Sequence, residues 1–534
     1  MNNKKILMFR ILITLVLAML LYYFSLPALN LTNPAFYSYL LVIFIVYLIT
    51  GGLKVLNLKD IIVNRKLLPK TIFYVIGGIV LIFGFIIIIN IYYSPLLNAK
   101  LYANRIVVDE DNNFTDDVKA VDFKAIPLLD KSSSQKLGDR VMGQMPELVS
   151  QFYVSNLYTQ INYNNDIVRV TPLEYASLIK YFTNRKDGVK GYIVVNSVSG
   201  EASLVKLDKG MRYMPSAYFF ENLFRYLRFK YPTTIFGEAS FEVDNEGRPY
   251  WVVSTVKYTG VGLRKDINGA IILDPVTGES KKYKVSDIPT WVDQVYPADL
   301  IIEQFDDYGK YKRGFFNSIF GQKGVVQTTD GYNYTVMNDD VYLYTGITSV
   351  SSDEANVGFI LTNLRTKETN YYNVPGAEEY SAMASAEGQV QQMKYKASFP
   401  LLINLNERAT YLISLKDNAG LVKMYAFVDV ADYQKVVVTD ASLGIEKAAY
   451  NYLNKLNLEL NENGNIFEEV ITVARIVSAN VDNVTYYYIV DTNKQKYRVN
   501  IKVNDSVLPF VLAGDTIKVS YLNKSDIIEI IKVD

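Results

Sequence analysis

TIFYVIGGIVLIFGFIIIINI, residues 71–91, decides how the rest of the chain is read. It carries no charge, and at about 1.5 Å per residue it is long enough to cross a hydrocarbon layer of about 30 Å. Two further apolar runs stand before it, at residues 6–24 and 35–50. The second of these is short and gains reach by tilting. Together the runs predict three transmembrane helices within residues 6–91. A signal peptide is the rival reading of the first run, with Lys4, Lys5 and Arg10 as its charged leader. Its apolar part is too long for that, and LPALNLTNPA (26–35) leads almost straight into the next apolar segment.

Charge then sets the orientation. Lys4, Lys5 and Arg10 lie at or near the start of the first run, and residues 25–34 are uncharged. The link between the second and third runs holds Lys54, Lys59, Arg65, Lys66 and Lys70 against Asp60. The cytoplasmic excess of Lys and Arg places the N-terminus and this second link inside, and everything after about residue 94 outside.

An external part of that length implies two to four domains. Lys plus Arg equals Asp plus Glu at 55 each, so no global charge argument favours nucleic acid. Cys and His are both absent. That excludes disulfides, thiol catalysis, imidazole base chemistry and the usual zinc sites. An enzyme built from this chain would need carboxylates, a Ser–Lys pair or a hard cation. The 43 Tyr suit half-buried strands and wet contacts.

Along the external part, residues 95–185 read as a membrane-proximal α+β region. Its acidic stretch at 109–117 lacks the Gly and Glu of a calcium loop and reads as solvated. TPLEYASLIKYFTN (171–184) reads as a helix capped by Thr171 with Pro172 at its first position. A hairpin–helix–hairpin–hairpin order over 186–285 recurs over 351–440, with EASF (238–241) answering KASF (396–399). This predicts a duplicated α+β module, each an antiparallel sheet covered by a helix. Residues 286–350 connect or dock the two copies, 441–467 form a helical linker, and 468–534 read as a small all-β barrel of the OB or SH3 kind.

ILDPVTGESKKYKV (272–285) resembles the small PepSY unit of bacterial envelope proteins. PTWVDQVYPADLI (289–301), FFNSIFGQKGVVQTTDGYNY (315–334), NVPGAEEYSAMASAEGQVQ (373–391) and SLKDNAGLVKMYAFV (414–428) resemble a group of uncharacterised bacterial membrane proteins. The resemblance implies PepSY-like modules anchored at the bacterial cytoplasmic membrane. It also implies a regulatory or peptidase-inhibiting role, and it supplies no catalytic residue.

Candidate chemistry is sparse. Ser203 and Lys206 have S-x-x-K spacing, but on a strand residues three apart face opposite ways. Ser414 and Lys416 share a strand face beside Asp417, which equally suits a charged strand end. On one helix Asp299, Glu303 and Asp306 share a face, with Asp307 adjacent. Such carboxylates serve a glycosidase, hold calcium, or pair with Lys310, Lys312 and Arg313. Trp291, Tyr296 and Tyr308 lie close by as a sugar platform, and Phe315, Phe316 and Phe320 form an apolar group suited to a partner. No catalytic, metal or cofactor site is assigned. The expected function is a non-enzymatic extracytoplasmic scaffold or assembly protein that contacts other envelope proteins or itself. The alternatives are a regulator of an envelope peptidase and a carboxylate-dependent cell-wall glycan hydrolase.

Overall fold

The computed structural model describes residues 3–52, 70–123, 126–164, 166–337, 339–350, 352–456, 467–481, 484–521 and 526–533. Helices α1 (Asn3–Ser25), α2 (Pro34–Gly52) and α3 (Lys70–Tyr92) carry the three apolar runs. α1 packs on α2, where Arg10 lies over the Tyr47 ring and Tyr39 donates to the Ala18 carbonyl. The expectation of three membrane-crossing helices is corrected. Among the described residues one helix, Leu7–Ser25, is by itself long and apolar enough to cross. The apolar part of α2, Pro34–Thr50, is shorter. The Ile76–Tyr92 part of α3 passes only together with α4 (Pro95–Ala103), which bends away by 59°. Pro95 explains the bend, since its ring displaces the preceding turn and it lacks an N–H. Most of the charged link between α2 and α3 lies outside the described residues.

The body is mostly β, and the doubled α+β module is also corrected. Its unit is a four-stranded antiparallel meander that occurs four times, each followed by a helix. Blade 1 comprises β1 (Thr159–Tyr163), β2 (Asp166–Tyr175), β3 (Val189–Asn196) and β4 (Ala202–Met211). Blade 2 comprises β5 (Ile235–Val243), β6 (Pro249–Thr259), β7 (Arg264–Leu273) and β8 (Ser280–Tyr283). Blade 3 is β9 (Asn333–Met337), β10 (Asp340–Ser349), β11 (Ser352–Asn363) and β12 (Thr369–Tyr372). Blade 4 is β13 (Leu401–Leu405), β14 (Arg408–Lys416), β15 (Val422–Asp429) and β16 (Val436–Asp440). The helices between and after them, beyond α5 (Lys131–Gly143), are α6 (Leu223–Lys230), α7 (Ala298–Tyr311), α8 (Glu379–Gln389) and α9 (Ile445–Lys455).

The meanders sit around a common centre like the blades of a propeller. β1 touches β5 and β10, and β9 touches β13. Apolar cores fill the wedges between successive blades. Phe241, Trp251 and Ile193 serve blades 1 and 2; Val252, Ile272 and Leu343 serve blades 2 and 3; Tyr344, Phe359 and Ile413 serve blades 3 and 4. Two-sided burial explains why strands such as WVVS (251–254) are apolar without alternation.

An N-terminal segment closes the ring between blades 4 and 1. Val121 N–H donates to the Asn404 carbonyl (2.9 Å), and Leu129 N–H donates to the Ser197 carbonyl (3.1 Å). Lys416 pairs with Asp130, the residue that caps α5. The helix expected over 171–184 is shortened to Leu178–Asn184 with Ser177 as its cap. Thr171 and Pro172 lie instead in β2, where burial of Val170 and Leu173 outweighs the local capping signal.

The tail is not a barrel standing alone. Strands β17 (Phe467–Val481), β18 (Val484–Asp491), β19 (Lys496–Asn500), β20 (Thr516–Tyr521), β21 (Ile527–Glu529) and β22 (Lys532–Val533) form one sheet. Its order is β21-β19-β18-β17-β20-β22, open between the two outer strands. It leans on the end of blade 4: Lys447 donates to the Ile531 carbonyl (2.5 Å) and Asn500 to the Ser442 carbonyl (2.6 Å).

Candidate functional site

Where the four blades meet, they leave a cavity of about 560 Å³. The innermost strands supply its wall: Thr159 from β1, Ala239 and Ser240 from β5, Asn333 and Tyr334 from β9, with Phe399 just before β13. Tyr158, Arg169, Tyr296 and Tyr332 complete its aromatic and cationic parts, while Lys131 and Glu238 stand exposed at its rim. The Tyr332 and Tyr334 rings meet at 5.5 Å and 61°. Burial raises the hydroxyls of Tyr296, Tyr332 and Tyr334 above the ordinary tyrosine range, so all three remain neutral donors.

Arg169 is the unusual wall residue. It lies in the apolar strand IVRV (167–170), opposite Gln160 of β1, and is 4% exposed. Among the described residues its Nε has no hydrogen-bond partner, and neither polar atom of the buried Gln160 side chain has one. Buried polar groups are nearly always satisfied, so three orphaned atoms at one cross-strand position mark a place built for something else. Asp130 is the carboxylate close enough to act on Arg169 through space, together with Tyr334. It is already engaged: Oδ1 accepts from Ser133 N–H (2.9 Å) and Ser132 Oγ (3.1 Å), and Oδ2 accepts from Lys416. Burial pulls the Arg169 guanidinium down to about 10, which leaves it cationic at neutral pH.

Beside the cavity lies a buried acid pair. Glu242 of β5 accepts from Ser240 Oγ (2.6 Å), Asp293 N–H (2.8 Å) and Gln294 N–H (3.3 Å). Asp293 accepts from Asn162 N–H of β1 (2.8 Å). These bonds tie blades 1 and 2 to the segment leading to α7. Burial pushes Glu242 up to about 7 and also raises Asp293, on which the charge of Glu242 acts in the same direction.

The residues singled out from the sequence are divided between several places. Tyr296 is buried and lines the cavity. The Trp291 ring lies 4.9 Å from that of Tyr250, tilted by 36°, in the packing between blades 2 and 3. The acidic group is split around α7. Asp299 is exposed, and Asp306 accepts from the N–H (2.8 Å) and hydroxyl (3.1 Å) of Thr328. Glu303 and Asp307 share a face held by two arginines that sequence spacing did not offer. Arg105 reaches Asp307 at 2.6 Å and Glu303 at 3.2 Å, and Arg264 reaches Asp307 at 3.1 Å. Lys312 turns instead to Glu110 (3.1 Å), which also accepts from Tyr308 (2.5 Å). Among the described residues no group of three or more His, Cys, Asp or Glu is arranged to hold a metal ion.

Phe315 packs with Tyr102 and Tyr311 beneath α4, while Phe316 and Phe320 are exposed, Phe320 to 81%. Sequence reasoning passed over Arg169, Gln160, Tyr332, Tyr334 and Glu242. The available signal was the lone arginine inside IVRV, a charge where two-sided burial leaves no room for an unserved one.

No family model matches this chain, and no curated protein matches it. Among solved structures it is similar to Trypanosoma rangeli sialidase in complex with the inhibitor DANA, at 8% identity and a TM-score of 0.17. That match covers 71% of this chain and 54% of the sialidase. An ACO/RPE65 chimera follows at 6% identity and a TM-score of 0.14, covering 71% of this chain and 65% of that one.

Proposed function

We propose that this chain is a non-enzymatic scaffold of the bacterial cell envelope, anchored through α1, with its body on the outer face of the membrane and its hub cavity receiving a partner molecule. The observation that carries the reading is the cavity itself, in whose wall the buried Arg169 Nε has no hydrogen-bond partner among the described residues. A wall of this kind, aromatic with a few convergent polar groups, is the usual make-up of a binding site.

Anchoring is supported by how the body meets the helices. Arg225 of α6 donates to the Tyr23 carbonyl (3.2 Å) and lies 4.4 Å over the Tyr23 ring. Arg228 donates to the Leu26 carbonyl (3.0 Å). The Asn90 side chain at the end of α3 makes two hydrogen bonds to the backbone of Val261, in the turn after β6. A cleaved leader would remove the acceptors of the Arg225 and Arg228 Nε groups, so the contacts favour a retained anchor over a signal sequence.

The test is photocrosslinking in cells from position 332, at the cavity mouth, with position 281 on the outer strand β8 as control. The scaffold reading expects a discrete partner captured from 332 and not from 281. A protease as that partner would turn the reading to peptidase regulation. Equal labelling from both positions would sink it.

A further inference from the structure

The hub cavity carries more than a general capacity to bind. Its wall holds the Arg169 guanidinium, whose Nε has no hydrogen-bond partner among the described residues. Guanidinium is a planar fork of donors that matches the two oxygens of a carboxylate. The surrounding wall is aromatic, from Tyr296, Tyr334 and Phe399. Rings of this kind suit the body that bears the acid group, whether peptide or sugar. A phosphate dianion fits less well, because the second wall cation, Lys131, is exposed.

We infer that the hub cavity is a carboxylate-binding site, in which Arg169 holds the acid group of an organic molecule whose remainder packs on the tyrosine wall. Two sources share this chemistry, the C-terminal carboxylate of a peptide and the acid group of a sugar acid. The inference deepens the scaffold reading and rests on it only for where the ligand comes from.

The same geometry says what an empty site costs. A buried arginine without a partner opposes folding, and an apolar replacement of similar length relieves it. Arg169→Met is therefore expected to fold, to melt at a higher temperature than the parent without ligand, and to lose the response to acids.

The experiment is thermal unfolding of the full-length chain in detergent with millimolar benzoate, and with benzamide as its neutral isostere. Acetyl-dialanine is compared with its C-terminal amide, and N-acetylmuramic acid with N-acetylglucosamine. A saturable rise in Tm with an acid, absent with its neutral counterpart and absent in Arg169→Met, is the expected result. The acetyl-dialanine and N-acetylmuramic acid arms then tell peptide from sugar. No rise with any acid, or an equal rise with the neutral compounds, overturns the inference and leaves ordered water as the occupant. An equal rise in Arg169→Met overturns it as well. A carboxylate response without crosslinks from position 332 would sink the scaffold reading and leave this one standing. Crosslinks without a carboxylate response would do the reverse.

Discussion

The Lys416 ammonium at the end of β14 pairs with the Asp130 carboxylate at the start of α5, and this contact across 286 positions of sequence pins blade 4 to the segment that closes the ring. Lys416 is nearly buried, whereas Asp130 keeps about a third of its side chain exposed. Lys416→Met should destabilise the protein by about 1–3 kcal/mol, toward the lower end because of that exposure. Burial works to raise the Asp130 carboxyl, but Lys416 and the Ser133 N–H outweigh it and hold the group below its ordinary value. The stability it contributes is therefore present above the ordinary aspartate range and is lost as pH falls through the lowered value. Denaturant titrations of parent and variant from pH 6 downward check this: the two should differ most near pH 6, and the difference should shrink as pH falls below the ordinary aspartate range.

Glu242 gives the opposite pH dependence. Burial raises its carboxyl to about 7, so in the folded state it keeps a proton that the unfolded chain releases near the ordinary glutamate value. Its contribution is complete below that ordinary value and is lost as pH rises through about 7. The parent should therefore lose stability on the order of 3 kcal/mol between pH 4.5 and 8, from a shift of this size. Glu242→Gln should flatten that slope, its single carbonyl oxygen keeping one of the two bonds that the Asp293 and Gln294 N–H groups make to different carboxyl oxygens. A slope unchanged in Glu242→Gln would assign the effect to other groups.

The repeat was legible in the sequence for three of the four blades, though not at the spacing the eye first finds. NSVSGE (196–201), DPVTGE (274–279) and NLRTKE (363–368) are the same turn between the third and fourth strands of blades 1, 2 and 3. In each, the first side chain accepts from N–H groups two and three residues on: Asn196 from Val198 and Ser199, Asp274 from Val276 and Thr277, Asn363 from Arg365 and Thr366. In each, the fifth residue has positive φ, supplied by Gly200, Gly278 and Lys367. Reading only the DP-TGE phrase, and pairing hairpins across a helix, joins the second half of one blade to the next. Blade 4 hides the pattern further, because Asp429 caps a longer turn.

The site was less legible than the fold for a different reason. Spacing along α7 put the carboxylates together, but their partners Arg105 and Arg264 come from distant elements. Likewise Arg169 becomes conspicuous only once Asp130 is seen to be engaged elsewhere.

Gly262 tests the seat of the body on its helices. It has φ +70°, and a Cβ there would come within 2.1 Å of the Pro34 ring at the start of α2. Gly314 has φ +88° with open space around it. Gly314→Ala should lose only the backbone term, roughly 1–2 kcal/mol. Gly262→Ala should lose that and a further 1–3 kcal/mol or so for the clash. Hydrogen exchange provides the local readout: the Val261 amide, bonded to Asn90 Oδ1 at 2.8 Å, should exchange faster in Gly262→Ala and unchanged in Gly314→Ala.

The exposed aromatic group gives a last prediction, on the placement of the body against the bilayer. Phe316, Ile319 and Phe320 project beside α4, whose Leu96 and Leu97 are also exposed, and α4 continues directly from α3 through Ser94. At the end of α1, Phe220 and Phe229 pack edge-on against Tyr23 and Tyr22. On the proposed anchoring through α1, large apolar side chains left uncovered on the side of the body that faces the membrane belong at the lipid–water boundary. Phe320→Trp should therefore keep its stability within about 0.5 kcal/mol, as a surface change does. In vesicles, its added fluorescence should be quenched by lipids brominated near the headgroup and little by lipids brominated at the chain ends. Trp291 is partly buried and Trp251 buried, so both serve as the background that quenching spares. An added signal untouched by either lipid would put this loop in water and remove the bilayer as its cover.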